Sequence, residues 1–390
     1  MKIIHTSDWH IGKRLCGRER LEEQREVLGE IAEICDLERA DLVLIAGDVF
    51  DNFLPSAEAE DLFYESVKRI AGEERTVLVI SGNHDDNVRL AAASALSEEQ
   101  GIYIFGNTAR VPRPVGQRRV RLVEASANHA VVSDGKEEIF LNILPYPNEA
   151  RLREDKNPDE SFLDKMRRWI AAGENKNVRR LPSLFLSHLF VAGGQVSEGE
   201  REIDLGGARA VPLGLLPDCA YAALGHLHRR QHFKGNVYYS GSILQYAFDE
   251  AGAQKSVVAF EIKDGKAEDI REIPLTKGRQ LVRLEAVGLT QAKELLAMHG
   301  DALAELTLHL HEPLLASQVR ELKEGAPGLV SIISDVQLEG QERSGVSRKS
   351  MSSSELFREY YKSIYAEYPA DALTELFLSI TEEEHETKTP

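Results

Sequence analysis

Five short polar segments of this sequence carry residue types that hold divalent cations: Asp8-Trp9-His10, Gly47-Asp48, Gly82-Asn83-His84-Asp85, Ser187-His188 and Gly225-His226-Leu227-His228. Each follows a short apolar run. Asp8 and His10 stand two residues apart, as do His226 and His228, so on an extended strand each pair points to one side. A turn at the second pair would splay it toward two ions. The donors are carboxylate, imidazole and amide oxygen, without thiolate. That set suits borderline-hard ions, notably Mn²⁺ and also Fe²⁺ or Zn²⁺. It argues against a structural zinc site. Seven donors exceed what one ion ordinarily takes and suit two ions that share a carboxylate. Taken singly the pieces are common: a strand-end histidine is usually a hydrogen-bonded structural residue, and Gly-Asn favours a turn. Five of them in this order, all after strands, is improbable by chance.

The elements that must position these donors alternate in type. Residues 2–6, 42–46 and 77–80 read as short strands, and 21–37 and 57–70 carry apolar residues at helical spacing. This β–α–β–α–β order sets polar residues at strand exits, where open α/β sheets bind ligands. Residues 101–124 look irregular and hold Arg110, Arg113, Arg118, Arg119 and Arg121. Further strands are expected at 139–144, 184–187, 221–224, 237–239 and 257–262. The charged stretch 151–176 reads as an excursion, helical around 162–170. From about residue 276 the texture changes to a small βαβαβ unit, with strands at 281–286, 303–311 and 329–337. Residues 340–354 are rich in Ser, Gly and Arg and read as a linker. Beyond it Leu356, Phe357, Tyr360, Tyr361 and Ile364 form one apolar helical stripe, and Leu373, Leu376 and Phe377 another. Such faces call for docking onto the rest of the chain or onto a partner helix. The expected organisation is a 1–275 domain, a 276–339 α/β domain, a 340–354 linker and a 355–390 helical segment.

Length and composition set bounds. The chain has 390 residues, 42% hydrophobic and 28% charged, enough to bury a sizeable core. Lys plus Arg is 47 against 64 for Asp plus Glu, a net charge of −17, which excludes a simple basic DNA-coating protein. Three widely spaced cysteines, Cys16, Cys35 and Cys219, suggest neither a disulfide framework nor a CxxC zinc site. No apolar run approaches ~18 residues and no signal peptide is visible, so a cytoplasmic protein without membrane attachment is expected.

The order DxH, GD, GNHD, H, GHxH resembles that of the calcineurin-like metallophosphoesterases. The resemblance implies a two-metal hydrolase on an α/β sandwich of two mostly mixed sheets flanked by helices. By motif position it implies that Asp8, His10 and His228 bind one metal and Asn83, His188 and His226 the other, with Asp48 bridging. The runs HTSDWHIGK, IAGDVFD, ISGNHD, SHLFVAGG, ALGHLHRRQ and YYSGSILQYAFDE resemble the SbcD family more narrowly, the nuclease components of bacterial SbcC–SbcD complexes. Specific motifs cover roughly residues 1–275; the later segments match a capping domain and partner-binding region in arrangement only. Archaeal and eukaryotic relatives carry a histidine where Asp51 stands here, and a carboxylate is a poor substitute for an imidazole. SbcD-like sequences resemble this chain at that position.

What the resemblance implies is a Mn²⁺-dependent DNA nuclease acting in repair and recombination. It would be a double-strand 3′→5′ exonuclease and single-strand endonuclease, working with an SbcC-like ATPase as a homodimer within a heterotetramer. His84 is expected beside the phosphate, and Asp85 either orients His84 or caps the following helix. Lys13, Arg14, Arg229 and Arg230 lie just past metal motifs and could hold flanking phosphates without reading sequence. No Walker A sequence occurs, so ATP dependence would come from the partner, gripped by the terminal helices. Two rivals stand beside this reading. One is a small-molecule phosphodiesterase or phosphoprotein phosphatase on the same core. The other is a non-catalytic module that binds DNA ends.

Overall fold

A computed structural model describes residues 1–106, 110–116, 118–152, 160–198, 200 and 210–336, with 354, 357, 358, 360–362, 368–370, 373 and 374 beyond them. The strands are β1 (Lys2–Thr6), β2 (Leu42–Ala46), β3 (Thr76–Ile80), β4 (Ile102–Phe105), β5 (Arg121–Ala125), β6 (His129–Ser133), β7 (Glu138–Leu144) and β8 (Ser183–His188). They continue with β9 (Tyr221–Gly225), β10 (Gln231–Phe233), β11 (Val237–Tyr239), β12 (Ser256–Lys263) and β13 (Lys266–Pro274). The helices between them are α1 (Leu21–Leu37), α2 (Ala57–Ala71), α3 (Asn87–Leu90), α4 (Ser94–Glu99), α5 (Glu149–Leu152) and α6 (Phe162–Glu174).

Two mixed sheets face each other. One runs β13-β12-β1-β2-β3-β4 and the other β10-β11-β9-β8-β7-β6-β5. Strands β1 to β4 are mutually parallel, as are β7, β8 and β9. Period-2 alternation in a strand buried on both faces decides which side chain goes where. In β2, Leu42, Leu44 and Ala46 join Leu141, Ile143, Leu184, Leu186 and Ala223 between the sheets. Val43 and Ile45 point the other way and pack with α1 and α2 residues such as Val27, Ile31, Phe63 and Val67. On the far face of the second sheet, Phe185, Ala222 and Leu224 pack with Met166, Trp169 and Ile170 of α6. The result is the expected helix–sheet–sheet–helix sandwich, with the parallel strands of both sheets offering their carboxyl ends.

A third sheet of three strands, β14 (Leu281–Val287), β15 (Leu303–Leu310) and β16 (Leu329–Val336), carries α7 (Gly288–Met298) and α8 (Ala316–Gly325). Its core is Leu284, Ala286, Ala292, Leu296, Leu306, Leu308 and Leu322. Leu281 and Leu303 pack instead on Leu15 and Phe248. The chain divides into one compact unit of Met1–Leu310 and Leu314–Asp335, and another of His311–Pro313 and Val336–Pro390. No helix among the described residues is long and apolar enough to cross a membrane.

Candidate metal centre

The rim where these carboxyl ends emerge collects the donors. Asp8 and His10 follow β1, Asp48 follows β2, Asn83 follows β3, His188 ends β8, and His226 and His228 follow β9. None of the seven is more than 6% exposed. His10 Nε2 lies 3.0 Å from His228 Nε2. Donor atoms of Asp8, His10 and His228 all fall within 4.8 Å of one another. In a second group Asn83 Oδ1 lies 2.8 Å from His188 Nε2 and 3.1 Å from His226 Nδ1. Asp48 stands between the groups, with Oδ2 3.6 Å from His10 Nε2 and 3.5 Å from His188 Nε2.

The backbone is bent to achieve this. Asp8, His10, Asp48 and His226 have φ of 52°, 44°, 49° and 106°, in the left-handed half of the map that costs a side-chain-bearing residue energy. Gly225 is dictated by close approach, since a Cβ there would sit 1.9 Å from the Ala46 carbonyl oxygen. His226 N–H donates to Asp8 at 3.0 Å, which ties the β9 exit to the β1 exit.

These residues fit two cations. His10 and His228 turn nitrogens toward each other, and two carboxylates are buried among imidazoles. His226 Nε2 and His10 Nδ1 are buried without a hydrogen-bond partner among the described residues. Buried charge and orphaned polar atoms of this kind call for a bound ion. The mixed oxygen and imidazole set suits a divalent transition ion.

Residues 1–230 match the family described as calcineurin-like phosphoesterase. A Bacillus subtilis protein named as the SbcD component of the nuclease SbcCD is 35% identical over 97% of this chain and 97% of its own length. A Rhodobacter capsulatus protein of the same name is 34% identical over 76% of this chain and 75% of its own. The chain belongs to the SbcD branch of the calcineurin-like phosphoesterases. It is a phosphodiester hydrolase. A dimetal phosphatase from Danio rerio aligns over 71% of this chain and 99% of that one, at 11% identity and a TM-score of 0.40, a likeness too weak to carry an argument.

Electrostatics around the donors follow from burial and proximity. Burial raises Asp8 to about 6, partly offset by the charge of His188. Burial would raise Asp48 too, but His188 and His84 hold it well below the usual carboxylate range. His188 shows the reciprocal effect: burial opposes its charge, yet Asp48 carries it to about 9. Burial, helped by His188, pushes His226 down to about 3.

His84 sits beside the donors. Its Nδ1 is 2.6 Å from the Asp51 carbonyl oxygen, so that nitrogen donates and the ring is fixed. Its donor atom falls within 4.8 Å of those of His10 and Asp48. Asp85 is placed differently from both expectations. Its carboxylate accepts from the backbone N–H groups of Val49, Phe50 and Gly82, at 3.2, 2.9 and 2.8 Å. It thereby ties the GD loop to the GNH turn. The cap of α3 is Asp86, which accepts from Val88 and Arg89 N–H.

The four basic residues past the motifs are all engaged with acids. Lys13 pairs with Asp51 at 3.0 Å, Arg229 with Asp249 at 3.1 Å, Arg14 with Glu19 and Arg230 with Glu272. Of the terminal stripe, Phe357, Tyr360, Tyr361 and Leu373 are in helical turns, and the Phe357 and Tyr361 rings lie 6.1 Å apart. Leu356, Ile364, Leu376 and Phe377 lie outside the described residues.

Sequence reasoning missed three supports of the site. Arg151, on α5, donates to the carbonyls of Gly82, Asn83 and Asp85, and its guanidinium lies 5.2 Å from the Tyr146 ring centre. Glu200 accepts from His228 N–H at 2.7 Å. Glu250 faces His228 Nδ1 at 3.3 Å and Lys255 Nζ at 2.6 Å. Burial would raise Glu250, but its bond to His228 and the charge of Lys255 bring it down to about 2. Arg151 is hidden in a charged stretch. Glu250 ends the run YYSGSILQYAFDE, which is the one signal the sequence offers for it.

Proposed function

We propose that this chain is the nuclease component of a two-protein DNA-processing complex, cleaving phosphodiesters with two Mn²⁺ ions in repair and recombination. Asp8, His10 and His228 would hold one ion, Asn83, His188 and His226 the other, and Asp48 both. The observation that carries the reading is Asp48 Oδ2 standing 3.6 and 3.5 Å from one imidazole of each group. When bound, such ions acidify a water and neutralise phosphate charge. The chain's own residues do the rest. Asp48 couples the two donor groups. Asp85 and Arg151 hold the GNH turn that presents Asn83 and His84. His84, its ring locked by the Asp51 carbonyl, hands a proton to the leaving 3′ oxygen as the P–O bond breaks.

The two relatives' shared name supports DNA as substrate and an SbcC-type ATPase as partner. Double-strand 3′→5′ exonuclease and single-strand endonuclease activities, ATP dependence, sequence independence and a homodimer within a heterotetramer belong to the same proposal. So does the division into a 1–275 nuclease domain, a 276–339 capping domain, a 340–354 linker and a 355–390 partner-binding segment. Deleting residues 351–390 should abolish association with the ATPase but spare Mn²⁺-dependent hydrolysis of small phosphodiesters; unchanged retention in a pull-down contradicts the assignment.

One observation favours a second reading. Lys13, Arg14, Arg229 and Arg230 are all neutralised by carboxylates, as a small-substrate phosphodiesterase would allow. The deciding experiment compares Mn²⁺-dependent turnover of DNA ends and of phosphomonoesters, with and without the ATPase. Preferential DNA cleavage upholds the nuclease reading. Preferential monoester turnover replaces it.

A further inference from the structure

The two donor groups differ in what stands behind their imidazoles. Glu250 is fully buried on a short turn, Phe248–Glu250. Its Oε1 faces His228 Nδ1 at 3.3 Å, on the opposite side of the ring from the nitrogen that meets His10. Its Oε2 is held by Lys255 Nζ at 2.6 Å and by Tyr246 N–H at 3.3 Å. Lys255 Nζ also donates to the His228 carbonyl and to Ser242 Oγ, both at 2.8 Å. The Glu250–Lys255 pair thus grips His228 by its ring and by its main chain. An acceptor at Nδ1 keeps the proton there and turns the Nε2 lone pair toward the ion.

His10 is backed in a similar way. Its Nδ1 is buried without a hydrogen-bond partner among the described residues. The Asp51 carboxylate stands 3.6 Å from that nitrogen, beyond hydrogen-bond length but close enough for charge to act, and Lys13 holds it at 3.0 Å. The second group has neutral support. His188 Nδ1 donates to the Ala46 carbonyl at 2.8 Å, and His226 Nε2 has no hydrogen-bond partner among the described residues. Its third donor, Asn83, is an uncharged amide.

Resting on the two-ion reading above, we infer that Glu250 is a positioning residue for His228 and that, with Asp51 behind His10, it makes the Asp8–His10–His228 half of the centre the tighter-binding one. A carboxylate behind a ligating imidazole raises its basicity, and losing such a partner typically costs about 10–100-fold in metal affinity.

The test is Mn²⁺ binding by the purified full chain, followed by calorimetry and electron paramagnetic resonance. The parent should take up two ions and give the spectrum of a coupled pair. Glu250→Gln should weaken one ion by about 10–100-fold and leave the other unchanged. At intermediate Mn²⁺ its spectrum becomes that of an isolated ion. In an Asn83→Ala background, which disables the second group, Glu250→Gln should weaken the ion that remains. Asp51→Asn, at a partly exposed side chain, should weaken the same ion and decides the matter if Glu250→Gln does not fold. Unchanged affinities, equal weakening of both ions, or no effect in the Asn83→Ala background overturn the inference. A parent that never binds a second ion sinks the two-ion reading itself, a different result from two ions that ignore Glu250.

Discussion

The metal rim and the surface just past it are built on opposite principles. At the rim, seven donors converge from the ends of five strands, all buried, four of them on costly backbone angles. Past the same motifs, Lys13, Arg14, Arg229 and Arg230 are ordinary ion-paired surface or near-surface groups, in a chain of net charge −17. The contrast teaches that the chain has preorganised its chemistry but not, among the described residues, a grip on polyanion. Grip must then come from the ions, from exchange of these pairs, or from a partner.

The contrast can be tested from its strong side to its weak one. His84→Gln should lower Mn²⁺-dependent cleavage by about 10²–10⁴-fold while two ions still bind; steady-state cleavage with parallel calorimetry checks both halves of that statement. An intermediate effect concerns pH. The ion-free protein keeps His188 protonated up to about 9, against an ordinary histidine value of 6.5. A raised pKa means that the folded state holds the proton more tightly. Its contribution to stability is therefore complete below about 6.5 and lost as pH rises through about 9. The melting temperature of ion-free protein should fall across that window, whereas Mn²⁺-loaded protein should not follow the same slope. Ion binding at pH 7 should release a proton, seen as a dependence of calorimetric heat on buffer ionisation. The smallest effect is expected on the surface side. Arg14→Ala and Arg230→Ala should each change DNA cleavage by less than about 1 kcal/mol, under about fivefold, because exposed pairs are worth little. A large loss with a flattened salt dependence would show that these arginines leave their acids for phosphate.

How much of this is legible in the sequence depends on whether a residue's role is local. Strands such as Leu42–Ala46 and Val237–Tyr239 lie where apolar runs place them, and the donors are where those runs end. Strand β13 has no such signal. Its sequence KAEDIREIP is largely exposed and charged, and it is a strand because it pairs with β12 at the sheet edge. Apolar periodicity carries no trace of that. Strand β4, IYIF, is too short to stand out beside the arginine-rich stretch that follows it. The role of Asp85 is illegible because the sequence shows a carboxylate next to His84 but not the N–H groups of Val49, Phe50 and Gly82 that the fold brings to it. Glu250, Lys255 and Arg151 escape for the same reason: their partners are assembled by the fold, not by spacing.

The central claim is one centre of two ions with Asp48 between them. Crystals soaked in Mn²⁺ and measured near the manganese absorption edge test it directly. The account predicts two anomalous peaks ~3.5–4 Å apart, one among Asp8, His10 and His228, the other among Asn83, His188 and His226, both in contact with Asp48. A single peak at full occupancy, or two peaks with Asp48 touching only one, contradicts it.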